Sequence, residues 1–320
     1  MTTPAFRAIL PASGDQDLVA EGGVSMAWSS RRAVLAAMVG ASVAASVVTF
    51  AGNDAHAAAP PPRPSVANTG VPPGTVLTEH DGNITITAAG TTLKDLDIHG
   101  FVVVEASNVT IEDSVVRGGV SHGDTALVKV VSGTNVLVED SELVPEYTSV
   151  QIDGIRGANY TALRLNIHGT NDASKITGDN VTIEDSYIHD LPFFPHDPDQ
   201  GGNPAHNDGV EIFVGKNLHI TDNAFYIATT GNSAMQVNQN LGVVTDLHFT
   251  GNYADGGHCT VNLAIQPRPS MTGIQVDNNR FGRDTTVVNC AIFAKYGVTL
   301  TDVNDVWDDT GLPVTLRRAH

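Results

Sequence analysis

The chain has 320 residues, with 17 basic side chains against 35 acidic ones and a net charge of −18. That surplus repels nucleic acid and anionic lipid heads, so neither is expected as a partner. With 16% charged residues, 41% hydrophobic residues and 31 glycines, the chain suits neither a coiled coil nor a disordered segment. Its two cysteines exclude a disulfide-stapled miniprotein and a Cys-type zinc site.

Residues 1–57 read as an export signal. Ser30-Arg31-Arg32-Ala33-Val34-Leu35 opens an uncharged stretch from Ala33 to Asn53, and Ala55-His56-Ala57 closes it with a small-x-small cleavage pattern. The paired arginines resemble a twin-arginine signal, although Ala36 stands where a Lys is usual. A single membrane anchor is the alternative, but the run is rich in Ala, Ser and Gly rather than Leu. Residues 1–25 carry three acids, so Met26 is a second candidate start. Cleavage after Ala57 leaves 14 basic and 31 acidic side chains on an extracellular protein with no stable membrane association. Residues 58–69, with four prolines between Pro60 and Pro64, read as a stiff linker. Residues 70–320 then form a single domain.

That domain is a repeat. Asn108-Val-Thr-Ile-Glu-Asp-Ser114 returns from Asn135 to Ser141, with Leu and Val in place of Thr and Ile, and unchanged from Asn180 to Ser186. Looser copies begin at Gly90, Asn159, Asn217, Asp246, Gly273 and Gly297. The spacings are 18, 27, 24, 21, 37, 29, 27 and 24 residues, and apolar residues alternate within each copy, as at Val109/Ile111 and Leu218/Ile220. Period-two alternation with Gly, Asn and Asp at the ends predicts one coil of short strands per copy, hence an all-β parallel solenoid of about nine coils.

The repeated rungs, together with His206-Asn207-Asp208-Gly209-Val210-Glu211, resemble the right-handed parallel β-helix superfamily of pectate lyases and related secreted, polysaccharide-active proteins. The resemblance covers about residues 83–305. It implies a right-handed β-helix, a monomer, and an extracellular polysaccharide as partner. It says little about reaction type.

A second strand precedes each rung. Its outward residues are predicted to stack about 4.8 Å apart as a polar column of Lys129, Gln151, Lys175, Glu211, Gln236 and Asn262. Asn223, Asn252 and Asn279 share another column suited to an amide ladder, and Cys259 and Cys290 share one that puts them within disulfide reach.

The longest spacing marks an insertion from Asp190 to Asp208, holding His196, His206, Asp197 and Asp199. It delivers His206 and Asp208 to the strand bearing Glu211, beside Lys175. β-Elimination on a uronate needs a Lys or His base and a cation such as calcium on the carboxylate. Lys175 and His206 suit the base, and Asp197 and Asp199 the metal. Hydrolysis needs two carboxyls, about 5–5.5 Å apart when retaining and 6.5–9.5 Å when inverting; Asp208 and Glu211 are the candidates. An epimerase would add a proton donor to lyase-like groups. Phe193 and Phe194 would stack on a sugar ring, with Lys129, Gln151, His196 and Gln236 as further substrate contacts.

Each feature has a plainer reading. Lys175 and Glu211 would then be a surface ion pair, the aspartates turn formers, and the aromatics loop packing. The expectation is a secreted enzyme on a uronate-containing glycan, lyase before hydrolase. A non-catalytic carbohydrate-binding or cell-surface protein is the alternative from another class. Convergence of Lys175, His206, Asp208 and Glu211 in one place separates the two.

Overall fold

The structure, a computed structural model, describes residues 62–263 and 269–319. The export signal and residues 58–61 of the linker lie outside the described residues. Strands pair in parallel with the strand three further along the chain, except that the long strand Asp208–Thr221 takes two places and shortens the step to two beside it. Thr78–Asp81 pairs with Leu96–His99, Ile84–Ile86 with Val102–Val104, and Thr92–Lys94 with Val109–Glu112. Repetition of this three-strand unit builds a ten-stranded sheet, here sheet A, and an eighteen-stranded assembly. The second consists of two stacks, B and C, joined by the long strand Asp208–Thr221. Its first part pairs with Ser174–Thr177 in B and its last part with Val181–Glu184 in C. The one helical turn among the described residues is Pro198–Gln200, in the insertion.

The repeated heptapeptide has a direct conformational meaning. Its first position, occupied by Gly90, Asn108, Asn135, Asn159, Asn180, Asn217, Asp246 and Gly273, has φ between 53° and 77°. Gly, Asn and Asp enter this left-handed region at the lowest cost, which is why they recur there. Four strand residues follow, with Val109 and Ile111 fully buried and Thr110 turned outward. The next position, Asp113, Asp140 or Asp185 in the full copies, is again left-handed at 46–50°. Two forced turns per copy thus bracket one strand of stack C. The last rung departs from the expected spacing. Leu300 pairs with Ile274, so Thr299 rather than Gly297 stands in the column.

The corner after stack C is held by polar side chains. Ser141 Oγ accepts from Ser114 N at 3.1 Å, and Ser186 Oγ from Leu165 N at 3.0 Å. The ladder then changes to amides. Asn223 donates to Asn252 Oδ1 at 3.1 Å, Asn252 to Asn279 Oδ1 at 3.2 Å, and Asn279 to Asp305 Oδ1 at 2.9 Å. A second, exposed ladder joins Asn135 to Asn108 and Asn217 to Asn180, each at 2.9 Å.

The interior is filled by aliphatic and aromatic side chains such as Ile98, Leu143, Ile167, Phe225 and Phe249, each at most 1% exposed. Burial of each contributes about 1.5–3 kcal/mol. The strands extend beyond residues 83–305 at both ends, since Thr78–Asp81 and Leu316–Ala319 also pair. The described part of the linker is not free either. Arg63 lies 3.5 Å above the Tyr253 ring and bonds Asp308 at 3.0 Å, while Pro64, Thr69 and Gly70 are buried. Cys259 and Cys290 form a disulfide, their Cα atoms 4.7 Å apart.

Candidate active site

Stack B presents the polar column, and its register differs from the expectation at one rung. Lys129 pairs with Arg156, and Arg156 with Lys175. Lys175, Glu211, Gln236 and Asn262 follow in order. Gln151 is not in the column. The Ile152 N–H closes a turn onto Ser149 O at 3.1 Å, so the strand begins at Ile152 and Arg156 takes the outward place. The Val150/Ile152 pair only looked like the flanks of a strand.

A second column runs three residues upstream: Asp153, Asp172, Asp208, Ser233. Asp208 is in register with Ser233, and Asp172 Oδ1 accepts from Asp208 N at 2.8 Å. The two columns meet around one ammonium. Lys175 Nζ lies 2.9 Å from Asp172 Oδ2, 3.3 Å from Asp153 Oδ2 and 3.6 Å from Glu211 Oε2. It also sits 5.8 Å from the Phe213 ring centre. This is no surface ion pair: Lys175 is 8% exposed, Asp153 1%, and Asp172 and Asp208 are fully buried. Arg156 approaches Asp153 Oδ2 at 3.8 Å and pairs more closely with Asp124. Asn232 donates to both Asp208 oxygens at 3.0 and 3.1 Å, and Asn238 to Glu211 Oε1 at 2.7 Å.

Four carboxyls therefore face two cations, one of which is shared with Asp124. Burial, then the like charges of Asp172 and Asp208, push Glu211 up to about 10 against the pull of Lys175. Burial and then Asp172 drive Asp208 well above the carboxylate range, although Asn232 opposes this. Burial raises Asp153 to about 7, with Lys175 opposing and Asp172 adding to it. For Lys175 burial works downward, but Asp172, Asp153 and Glu211 outweigh it and raise the ammonium's pKa. Glu211 thus holds a proton at neutral pH, Asp208 is shifted in the same direction, and Lys175 stays charged. A protonated carboxyl beside further carboxyls is the equipment of general acid–base chemistry.

The insertion supplies less than expected. Asp208 and Glu211 join Lys175, but His206 does not: it is exposed and makes no hydrogen bond or ion pair with Lys175 or Glu211. Ala205 and Asn207 on either side are buried, Asn207 donating to Pro192 O at 2.9 Å, so the residue between them turns to solvent. His196 bonds Gly202 O at 3.1 Å and is exposed. Phe193 is exposed and Phe194 half-buried. Asp197 caps the turn Pro198–Gln200 by accepting from Asp199 N at 2.8 Å, and Asp199 is exposed. No group of three or more His, Cys, Asp or Glu among the described residues is placed to hold a metal ion.

Sequence reasoning missed Asp153, Arg156, Asp172, Asn232 and Asn238. A signal was present for three of them. Asp153-Gly-Ile-Arg156, Asp172-Ala-Ser-Lys175 and Asp208-Gly-Val-Glu211 repeat one pattern, Asp then a charged residue three places on. Comparison of the chain with protein-family profiles, with curated proteins and with solved structures finds no match.

Proposed function

We propose that the chain is an exported, monomeric, right-handed parallel β-helix of about nine coils, akin to the pectate-lyase-like superfamily, that hydrolyses an extracellular polysaccharide at the carboxyl cluster. The observation that carries this reading is Glu211, a half-buried carboxyl kept protonated at neutral pH by burial and by Asp172 and Asp208. Glu211 would donate a proton to the glycosidic oxygen, with a neighbouring carboxylate on the opposite side activating water or attacking the sugar. β-Elimination fits less well. Its base must be unprotonated, whereas Lys175 is held as an ammonium by three carboxyl groups. Nothing in this reading needs calcium.

A second reading, a non-catalytic glycan-binding protein, draws on the seclusion of Lys175, Asp153 and Asp172 and on the outward His206. One experiment separates these. The protein is incubated with a panel of neutral and uronate polysaccharides, and both new reducing ends and the ultraviolet absorbance of unsaturated uronates are followed. Hydrolysis gives reducing ends without absorbance, and Glu211→Gln abolishes them while the protein stays folded. Absorbance growing with the reducing ends would mean elimination, and binding without products would favour the binder.

A further inference from the structure

We infer that Lys175 and Asp153 are the partners of an intramolecular amide bond, a cross-link between two successive strands of stack B that forms without a cofactor. Lys175 Nζ stands 3.3 Å from Asp153 Oδ2, and the two residues lie on the paired strands Ser174–Thr177 and Ile152–Gly157. Neither oxygen of Asp153 receives a hydrogen bond, and the residue is 1% exposed. Its carboxyl therefore has no donors holding it as a carboxylate beyond the two nearby cations, Lys175 and Arg156. Burial raises the Asp153 carboxyl to about 7, so its neutral, electrophilic form is populated near neutral pH.

The remaining neighbours fit the step. Asp172 Oδ2, at 2.9 Å, is the carboxyl placed to take a proton from Nζ. The freed amine attacks Cγ of the Asp153 carboxyl and forms the C–N bond. Arg156, 3.8 Å from Oδ2, faces the oxygen on which negative charge develops. The C–O bond then breaks, the proton returns with the departing oxygen as water, and an amide remains. One ammonium and one carboxylate become a neutral amide plus one water, with no change in oxidation state. Fixed neighbours replace a bimolecular encounter, and an interior closed to water disfavours hydrolysis of the product. The bond leaves Asp208 and Glu211 intact, so this inference does not rest on the proposed hydrolysis.

Mass spectrometry tests it on the folded protein after reduction of the Cys259–Cys290 disulfide. The wild type is expected to be lighter than its sequence by one water. Trypsin should release one branched species joining residues 130–156 to residues 165–216, uncut after Lys175. Lys175→Met and, separately, Asp153→Ala should carry their full masses and yield unlinked peptides. A folded wild type of full mass, cut after Lys175, would overturn the inference. So would a missing water that persists in Lys175→Met, because Asp153-Gly154 can also lose water by closing to a succinimide. The succinimide reopens on mild alkaline incubation, whereas the cross-link survives it.

Discussion

Two corners of the same repeating unit carry buried polar side chains and treat them in opposite ways. At the corner after stack C, Asn223, Asn252 and Asn279 are at most 1% exposed, and each amide both donates and accepts. At the corner before stack B, the buried polar groups are left short. Of ten buried side-chain atoms without a hydrogen bond among the described residues, nine belong to Asp153, Thr170, Asn171, Asp172, Asn207, Ser233, Gln236 and Asn262. All nine are oxygens. Interiors ordinarily satisfy such groups because an unmade bond costs about 1–3 kcal/mol. The first corner stacks its amides by mutual hydrogen bonds; the second gathers buried oxygens around the carboxyl cluster, where Asp153 Oδ2 and Asp172 Oδ2 face Lys175 Nζ instead.

The largest effect is expected from breaking the satisfied corner. Asn252→Ala removes the acceptor of Asn223 N and Asn223 Nδ2, and the donor to Ile220 O and Asn279 Oδ1. Several buried groups lose their partners at once, so a loss of about 3–5 kcal/mol is expected in chemical denaturation. The ladder's titratable member, Asp305, bonds Asn279 and not Asn252, so the loss should be nearly the same at pH values near 5 and 8. A loss under about 1 kcal/mol would mean that the ladder is ornamental.

Lys175→Met breaks the other corner and should differ in kind when set against wild type in which Lys175 and Asp153 are not yet joined. Removing one partner of a buried ion pair costs about 3–5 kcal/mol when the partner charge cannot escape. Here Asp153 can escape by taking up a proton, its pKa being raised already, and Glu211 holds one throughout this range. The loss should therefore be small near pH 5 and grow toward pH 8, measured by denaturation at each pH. A pH-independent loss would place Lys175 among ordinary packing residues.

The contrast between the corners also marks what the sequence shows and what it hides. The repeat fixed by Asn108, Asn135 and Asn180 is legible because a left-handed turn admits few residue types, and the constraint recurs in every copy. The Asn223–Asn252–Asn279 ladder is legible for the same reason. The partners of Asp153 and Asp172 are not, because they depend on a register that the turn at Ser149–Ile152 sets, and apolar alternation around Val150 points to the wrong strand start. Asp208 is legible from the composition of the insertion and Glu211 from the outward column, and His206 is expected beside them. Its outward turn depends on the anchoring of Asn207 against Leu191 and Pro192, which is tertiary information.

A smaller effect follows, as pH changes, for the chain without substitutions and with Lys175 and Asp153 unjoined. Asp153 and Glu211 have folded-state pKa values of about 7 and about 10, above those of the unfolded chain. A raised carboxyl binds its proton more tightly in the folded state, so its stabilising contribution is complete below the unfolded value near 4. It declines as pH rises, through about 7 for Asp153 and about 10 for Glu211. Lys175 has the opposite charge but does not reverse this, because its raised pKa keeps its contribution in place throughout that window. The melting temperature should thus fall between pH values of about 5 and 9, and Glu211→Gln should flatten the upper part of the decline. A melting temperature that rises over that range would contradict the protonated state on which the acid role of Glu211 depends.

The smallest effect on stability, and the most specific for chemistry, belongs to Asn238. Its amide donates to Glu211 Oε1 at 2.7 Å and touches none of the other carboxyls by hydrogen bond. A donor on a carboxyl oxygen favours the ionised form, so Asn238 opposes the burial and the like charges that hold Glu211 protonated. Asn238→Ala should therefore raise the pKa of Glu211 further and shift the alkaline limb of a pH–rate profile upward. Stability should change by about 1 kcal/mol or less, since the lost partner belongs to a half-buried group that solvent can still reach. The shift would be read on a substrate found in the polysaccharide panel, with Gln236→Ala, one rung further along the same column, as the control that should leave the limb in place. If Asn238→Ala lowered the rate equally at every pH, Glu211 would not be the group whose proton limits the reaction, and the cluster's excess of carboxyls would have to serve binding rather than proton transfer.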